Sequence, residues 1–238
     1  MLTDSDLDWL KRYCPNLKPS SDRMEIKGVL NFIGAYNRDL DKFQILSSEN
    51  ENIQGGIVLQ GSYKVMIKER KKDDPTGLKL PGLFLEEGQI EFSSDRHFNV
   101  DKSACFCGPI EEEHYLEEGF HLQTFLQQLI IPFLYEQLYY DSHDKEWPWG
   151  EYGHGITGVL ESYFKTGDLR FIESTLTKLK RDGKQWPFVR RLLLHKNYVK
   201  GHINCFCGSG DFIRRCHPEA LQGINKLRND ILKIGFVV

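Results

Sequence analysis

The sequence lacks the long apolar segments that a membrane-spanning chain requires. No stretch approaches the ~20 consecutive apolar residues needed to cross a lipid bilayer. The first residues carry Asp4, Asp6 and Asp8 and have neither the basic region nor the apolar run of a signal peptide. These absences predict a cytoplasmic protein that makes no contact with a membrane.

A global positive charge is also missing. The 238 residues include 31 Lys and Arg against 34 Asp and Glu, which gives a net charge of −3 and a pI of about 6.3. No stripe of alternating basic and aromatic residues offsets this balance, so nucleic acid is not an expected partner. The charged interval Lys68–Asp74 contains basic residues beside two aspartates, and we predict an exposed turn there.

The cysteines do not have the even, dispersed spacing of a secreted disulfide framework. They occur as two Cys-x-Cys pairs, a cysteine that follows the second pair and a lone cysteine: Cys105 with Cys107, Cys205 with Cys207, Cys216, and Cys14. We therefore expect reduced thiols, in agreement with a cytoplasmic location.

The second pair begins the densest group of metal-ligating residues. Residues Cys205–Gly210 read Cys-Phe-Cys-Gly-Ser-Gly, and the adjacent Cys216 and His217 follow shortly after. The two glycines allow a tight backbone turn, and Pro218 suits the first turn of a helix. Three thiolates and one imidazole match the tetrahedral shell of structural zinc. The predicted zinc ligands are Cys205, Cys207, Cys216 and His217.

This run resembles the SEC-C motif, a small zinc knuckle at the ends of many bacterial proteins. The motif reads Cys-x-Cys-Gly-Ser-Gly with a closing Cys-His. Phe206 replaces the usual proline and Asp211 replaces the usual basic residue, but neither position is a ligand. The resemblance implies a zinc module and names no function. A disulfide or free buried thiols are the alternatives.

Apolar periodicity predicts strands first and helices afterwards. Segments rich in β-branched and aromatic residues predict strands at Glu25–Tyr36, Phe43–Leu46, Ile57–Ile67 and Leu80–Leu85. Spacing of 3.6 residues predicts helices at Thr3–Tyr13, Leu122–Tyr140, Tyr152–Phe164, Asp168–Arg181, Phe188–His195 and Pro218–Ile234. Pro132 should kink or split the second helix. This order predicts an α+β fold with a strand meander.

The irregular stretch between the strands and helices carries the first cysteine pair. It reads His97-Phe-Asn99-Val-Asp-Lys-Ser-Ala-Cys105-Phe-Cys107, and Leu80-Pro-Gly82 precedes it. This order resembles the ubiquitin-conjugating-enzyme fold, and in particular its bacterial branch, whose members often read His-x-Asn-x-Asp-x-Ser-x-Cys. The resemblance implies an antiparallel four-stranded meander flanked by helices. It also implies a cysteine that holds an acyl group as a thioester.

The resemblance places the nucleophile at Cys105, whereas the eukaryotic spacing is two residues longer and selects Cys107. A free thiol has a pKa near 8.5, and Arg96, Lys102 or a protonated His97 can lower it. Asn99 can donate its side-chain amide to the developing oxyanion. His97 either braces the loop, which we favour, or acts as the base.

The first cysteine pair also has two non-catalytic interpretations. Cys105 and Cys107 can form half of a second zinc site, completed by His114 or His121. They can also be inert core thiols. A Cys-x-Cys pair without a closing Cys-His is weak support for a metal.

A second resemblance covers the start of the helical region. Trp147-Pro-Trp-Gly-Glu151, with His154-Gly155 and Glu161, resembles conjugating-enzyme-like proteins of short type II CBASS anti-phage operons. It implies a partner, the CD-NTase of such an operon, which synthesises cyclic-nucleotide signals. The conjugating-enzyme-like protein acts on the carboxy terminus of that partner. His154 is either an additional base or a buried structural histidine.

The sequence thus predicts three segments and leaves three functions open. The segments are a catalytic domain at 1–145, a helical extension at 146–200, and the zinc knuckle with its helix at 201–238. The leading function is a cysteine acyltransferase that forms a thioester with a partner protein and so regulates it. A non-catalytic zinc-containing adaptor is the alternative, and a nucleic-acid-associated protein is disfavoured by the charge balance.

Overall fold

The computed structural model describes residues 2–48, 51, 54–71, 74, 77–150 and 152–238. The chain folds into two compact units. The sheet unit comprises Met1–Phe106 with Gly119–Gly150, and the helical unit comprises Cys107–Glu118 with Glu151–Val238. These units differ from the predicted segments. Residues of the predicted segments 146–200 and 201–238 share one hydrophobic core, so they form a single unit.

Helix α1, Asp4–Tyr13, is capped at its start by Thr3. The Thr3 hydroxyl accepts a hydrogen bond from the Asp6 N–H at 3.1 Å, and the Asp6 carboxylate accepts one from the Thr3 N–H at 2.8 Å. This reciprocal pair satisfies two backbone donors that the first helical turn leaves unpaired. Leu10 faces inward and is buried.

The sheet unit is built on an antiparallel sheet of five strands. They are β1 Leu17–Pro19, β2 Glu25–Asn37, β3 Lys42–Leu46, β4 Ile57–Lys68 and β5 Gly82–Leu85. The order is β1-β2-β4-β5, and β3 pairs with β2. This order departs from the predicted four-stranded meander because β3 does not lie between β2 and β4. Strand β2 is long enough to pair with both β1 and β3 at different positions. Strand β4 pairs with β2 along nearly the whole length of β2.

One face of the sheet is covered by an interrupted helix. Helix α3, Leu122–Phe125, continues through a π-helical turn, Leu126–Ile130, into helix α4, Ile131–Ser142. The change to regular α-helix comes beside Pro132, which cannot donate a backbone hydrogen bond and crowds the preceding turn. The expected interruption of this helix is found as the π-helical turn that ends just before Pro132. The Tyr135 hydroxyl donates to the Ile57 carbonyl at 2.6 Å and attaches α4 to β4.

The helical unit packs short helices around the longest one. Its elements are α2 Pro109–Tyr115, α5 Ile156–Thr166, α6 Ile172–Arg181, α7 Trp186–Leu194, α8 Ile213–Cys216 and α9 Pro218–Ile234. Helices α5 and α9 approach closely at Gly223, where an added Cβ would lie 1.9 Å from the Leu160 carbonyl oxygen. Any larger residue there would force the two helices apart.

The predicted α+β class is confirmed. Strands β2 to β5 and helices α1, α6, α7 and α9 lie within a few residues of their predicted bounds. Among the described helices, none combines the length and the apolar character that crossing a bilayer requires.

Candidate metal centre and cysteine loop

The four predicted zinc ligands converge in the helical unit. The ligand atoms of Cys205, Cys207, Cys216 and His217 all lie within 4.8 Å of one another. The Cys207 and Cys216 sulfurs are 3.4 Å apart, and Cys205 Sγ lies 3.1 Å from His217 Nδ1. A tetrahedral site with Zn–S bonds of about 2.3 Å has edges of about 3.8 Å. The cluster therefore has the size to hold one metal ion.

The local backbone explains why these side chains meet. The Cys205 N–H donates to the Asp211 carbonyl at 2.8 Å, so the segment between them is closed into a turn. Gly208 and Gly210 occupy it with φ angles of 82° and 83°, which glycine adopts without strain. Helix α8 then ends in Cys216, and α9 begins directly after His217.

The environment of the thiols suits metal binding better than a disulfide. All of the cysteines are free, and the 3.4 Å between the Cys207 and Cys216 sulfurs far exceeds a disulfide bond of about 2.05 Å. Burial raises the pKa of the Cys205 thiol. A hydrogen bond with the Ser209 side chain lowers the pKa of Cys207 to about 6. Cys207 is exposed, so the alternative of free buried thiols is wrong for this residue.

The cysteine loop, defined here as His97–Cys105, is closed by its own backbone. The Cys105 N–H donates to the His97 carbonyl at 2.7 Å, and the Asn99 N–H donates to the Ser103 carbonyl at 2.8 Å. Phe98 and Ala104 pair as an isolated antiparallel bridge. Both are buried, whereas Cys105 is exposed. The sheet unit thus holds the Cys105 thiol at the surface on a fixed backbone.

Asn99 braces this loop in the structure. Its side-chain nitrogen donates to the Ser103 hydroxyl at 3.0 Å and to the Ser103 carbonyl at 3.2 Å. To stabilise an oxyanion, as the sequence predicts, the amide must exchange one of these bonds for the substrate oxygen. The His97 carbonyl accepts the Cys105 N–H, and the His97 ring packs on Trp147 with centroids 4.9 Å apart. That the His97 side chain braces the loop stays a prediction.

The predicted cationic neighbours of the thiol have other partners. Arg96 is buried and forms a two-bond contact with Asp141, at 2.7 and 3.0 Å, and its Nε donates to Gln137 at 2.8 Å. Lys102 lies 3.2 Å from the Glu87 carboxylate. Each charge is thus compensated by a carboxylate outside the loop.

Cys107 belongs to the other unit. It is half-buried, and it interacts electrostatically with two phenols of the helical unit, Tyr115 and Tyr152. Burial chiefly raises the pKa of Tyr115 to about 12, and a negative charge on Cys107 adds to this effect. Cys105, in contrast, shares the sheet unit with His97 and Asn99.

A second metal site is not found in the described part of the chain. There, the cluster that contains Cys205 is the one group of three or more potential ligands. His114, which was considered as a ligand beside Cys107, contacts the Glu117 carboxylate through Nδ1 at 3.0 Å. Cys105 and Cys107 are also not core thiols, since the first is exposed and the second half-buried.

Arg70 contacts the cysteine loop from outside it, and the sequence did not predict this contact. The prediction of an exposed turn at Lys68–Asp74 is wrong for Arg70, whose side chain is 4% exposed; residues 72–73 lie outside the described residues. Its guanidinium donates to the Ser103 hydroxyl at 2.7 Å and contacts the carboxylates of Asp74 and Asp101, each at 3.2 Å. The local pattern of charges in the sequence cannot predict that an arginine contacts a loop 33 positions away.

Replacing Arg70 by methionine should destabilise the sheet unit by about 3 kcal/mol, because breaking a buried pair leaves its carboxylates uncompensated. Urea denaturation measures the loss. Arg38→Met is the matched control, since Arg38 and Glu146 are both exposed and 3.9 Å apart, and it should change stability by less than about 0.5 kcal/mol. Equal midpoints for the two variants would contradict this structural role of Arg70.

The tryptophan corner, Trp147-Pro-Trp149, packs within the sheet unit. Trp149 contacts the rings of Tyr36, Phe43 and Tyr135, with centroids 5.0 to 6.0 Å apart. Glu151, which the resemblance includes, lies outside the described residues. His154 is exposed, so the interpretation of a buried structural histidine is wrong.

No family model, curated protein sequence or solved structure matches this chain.

Proposed function

We propose that the sheet unit is ubiquitin-conjugating-enzyme-like and that Cys105 forms a thioester with the carboxy terminus of a partner protein. The main support is that the Cys105 thiol is exposed and lies on a loop closed by backbone hydrogen bonds. A bulky protein carboxyl group can reach an exposed sulfur, and a fixed loop keeps that sulfur oriented for attack. The motif resemblance over His97–Cys105 supports the same assignment.

The proposed step transfers an acyl group to sulfur. The Cys105 thiolate attacks the acyl carbon, a C–S bond forms, and the leaving group departs with the electron pair of its former bond. A free carboxylate would have to expel hydroxide or oxide, which are poor leaving groups. The acyl donor is therefore an activated one, such as an acyl adenylate or another thioester.

The partner we propose is a CD-NTase of an anti-phage defence operon, and the reaction at its carboxy terminus regulates it. The support is the resemblance of the tryptophan corner, His154-Gly155 and Glu161 to proteins of short type II CBASS systems. Co-expression with a nucleotidyltransferase encoded next to this chain provides the test. Intact-mass analysis should reveal a covalent adduct that thiols cleave, whereas a complex without an adduct would favour the adaptor.

Asn99→Ala should slow acyl transfer about 10²- to 10³-fold, because one oxyanion donor contributes that much in other acyl-transfer enzymes. Partner binding should remain nearly unchanged, since the donor acts in the transition state. Single-turnover adduct formation and a binding titration separate the two effects.

Because Asn99 also braces the loop, its structural contribution needs a separate measurement. The rate of Cys105 alkylation by iodoacetamide, without partner, reports on loop geometry alone. Asn31→Ala on β2 is the matched control, since Asn31 is exposed. If Asn99→Ala slows alkylation and acyl transfer to the same extent, the oxyanion assignment fails and only the brace remains.

We further propose that the metal of the cluster is zinc and that it is structural. Cys205, Cys207, Cys216 and His217 form a complete four-ligand set of the Cys₃His type, which leaves no open position for a substrate. Zinc supplies charge neutralisation and cross-linking of the turn that precedes α9. This assignment is independent of the thioester proposal.

A further inference from the structure

Helix α5 carries a buried carboxylate beside the metal centre. Glu161 is 5% exposed and lies in the middle of the helix. Its Oε2 accepts a hydrogen bond from the Gly153 N–H at 2.6 Å. Glu161 also interacts electrostatically with His217. An acidic group of the helical unit is therefore close to the one imidazole of the metal cluster.

The surroundings of Gly153 show that the Nε2 edge of the His217 imidazole faces this residue. A Cβ added at Gly153 would lie 3.0 Å from His217 Nε2 and 2.5 Å from the Thr157 hydroxyl. The other ring nitrogen, Nδ1, is 3.1 Å from the Cys205 sulfur. Nδ1 thus lies among the thiols, and Nε2 lies against the residue whose N–H binds Glu161.

The segment that presents Gly153 is held tightly against α5. A Cβ at Gly158 would lie 2.0 Å from the Gly153 carbonyl oxygen, so the two backbones are in direct contact. The Thr157 hydroxyl donates to the His154 carbonyl at 2.6 Å and fixes the turn that follows. The position of Glu161 relative to Gly153 is therefore set by packing.

A metal-ligating histidine keeps one proton on its other ring nitrogen, and a carboxylate such as Glu161 is suited to accept a hydrogen bond from it. A neutral imidazole that ligates through Nδ1 carries its proton on Nε2. Such an N–H usually donates to a carboxylate, a carbonyl or a water, which fixes the ring and strengthens the ligand. A buried carboxylate in turn requires donors that compensate its lost hydration.

We propose that Glu161 holds the Nε2–H of His217, directly or through one water molecule, and so positions the imidazole for metal binding. Glu161 is then a positioning residue of the metal centre, and it ties α5 to the start of α9. The inference rests on the proposed zinc assignment and is independent of the thioester chemistry.

The test compares zinc affinity among variants of the full chain by competition with a chromophoric chelator. Glu161→Ala should keep one zinc per chain but bind it about 10- to 100-fold more weakly, as is typical when such an outer hydrogen-bond partner is lost. Glu161→Gln, which is isosteric, should show a smaller loss because its amide oxygen still accepts a hydrogen bond. Glu173→Gln is the matched control, because Glu173 is an exposed glutamate in the first turn of α6, a helix that contributes no ligand to the cluster.

Cobalt substitution gives a readout that a general loss of stability would not change. The ligand-field spectrum of the cobalt form should shift in Glu161→Ala and Glu161→Gln, and remain unchanged in Glu173→Gln. Wild-type zinc affinity in Glu161→Ala together with an unchanged cobalt spectrum would overturn the inference. If the wild-type protein binds no zinc, the metal assignment fails first and the inference fails with it.

Discussion

Cys105→Ala is expected to abolish the covalent adduct with the partner protein, and Cys107→Ala to leave it largely intact. The physical reason is that the two thiols belong to different units and have different exposure. Cys105 is exposed and shares the sheet unit with His97 and Asn99, whereas Cys107 is half-buried in the helical unit. Intact-mass analysis of the co-expressed pair measures the adduct in each variant.

Cys105→Ser should trap the adduct rather than abolish it. An oxyester is less labile than a thioester because an alkoxide is a poorer leaving group than a thiolate, so the trapped species should resist added thiols. Cys14→Ala is the matched control: this thiol also belongs to the sheet unit, and burial raises its pKa. It should leave the adduct unchanged.

Two outcomes would contradict the assignment of Cys105. An adduct that survives Cys105→Ala but is lost in Cys107→Ala would move the nucleophile two residues along the chain. No adduct in the wild type or in any variant would favour the adaptor.

Most of the secondary structure could be predicted because its periodicity is local. Strands β2 and β4 are long and rich in β-branched and aromatic residues, and α9 begins at Pro218 as predicted. Strand β1 was missed because it has three residues and ends in proline. Helix α2 was missed because its seven residues, Pro109–Tyr115, are too few for a helical period to be apparent.

The candidate sites differ in how far the sequence could predict them. The metal cluster was predictable because all of its ligands lie within Cys205–His217 and glycines mark the turn. The contact of Arg70 with Ser103 was not, because it joins residues 33 positions apart. The proximity of Glu161 to His217 likewise depends on how α5 packs against the start of α9, and no local pattern reports such packing.

Cys207→Ser is expected to remove zinc from the purified protein and to loosen the start of α9. Metal binding to a short module is coupled to its folding, because the ligands are brought together only in the folded state. His217 separates α8 from α9, so loss of the ion frees the first turn of α9 most directly. Zinc content by elemental analysis and hydrogen exchange over residues 218–224 measure the two effects.

Cys207 is the proposed ligand whose replacement best isolates the contribution of the metal. Its side chain is exposed, so serine at this position leaves the apolar core intact, whereas Cys205 is itself part of that core. Wild-type protein stripped of zinc by a chelator should therefore show the same exchange pattern as Cys207→Ser. Helix α9 should loosen only at its start, because it packs on α5 and its later residues Ile224 and Leu227 belong to the core of the helical unit. A Cys207→Ser variant that retains its full zinc content would show that this thiol is not a ligand.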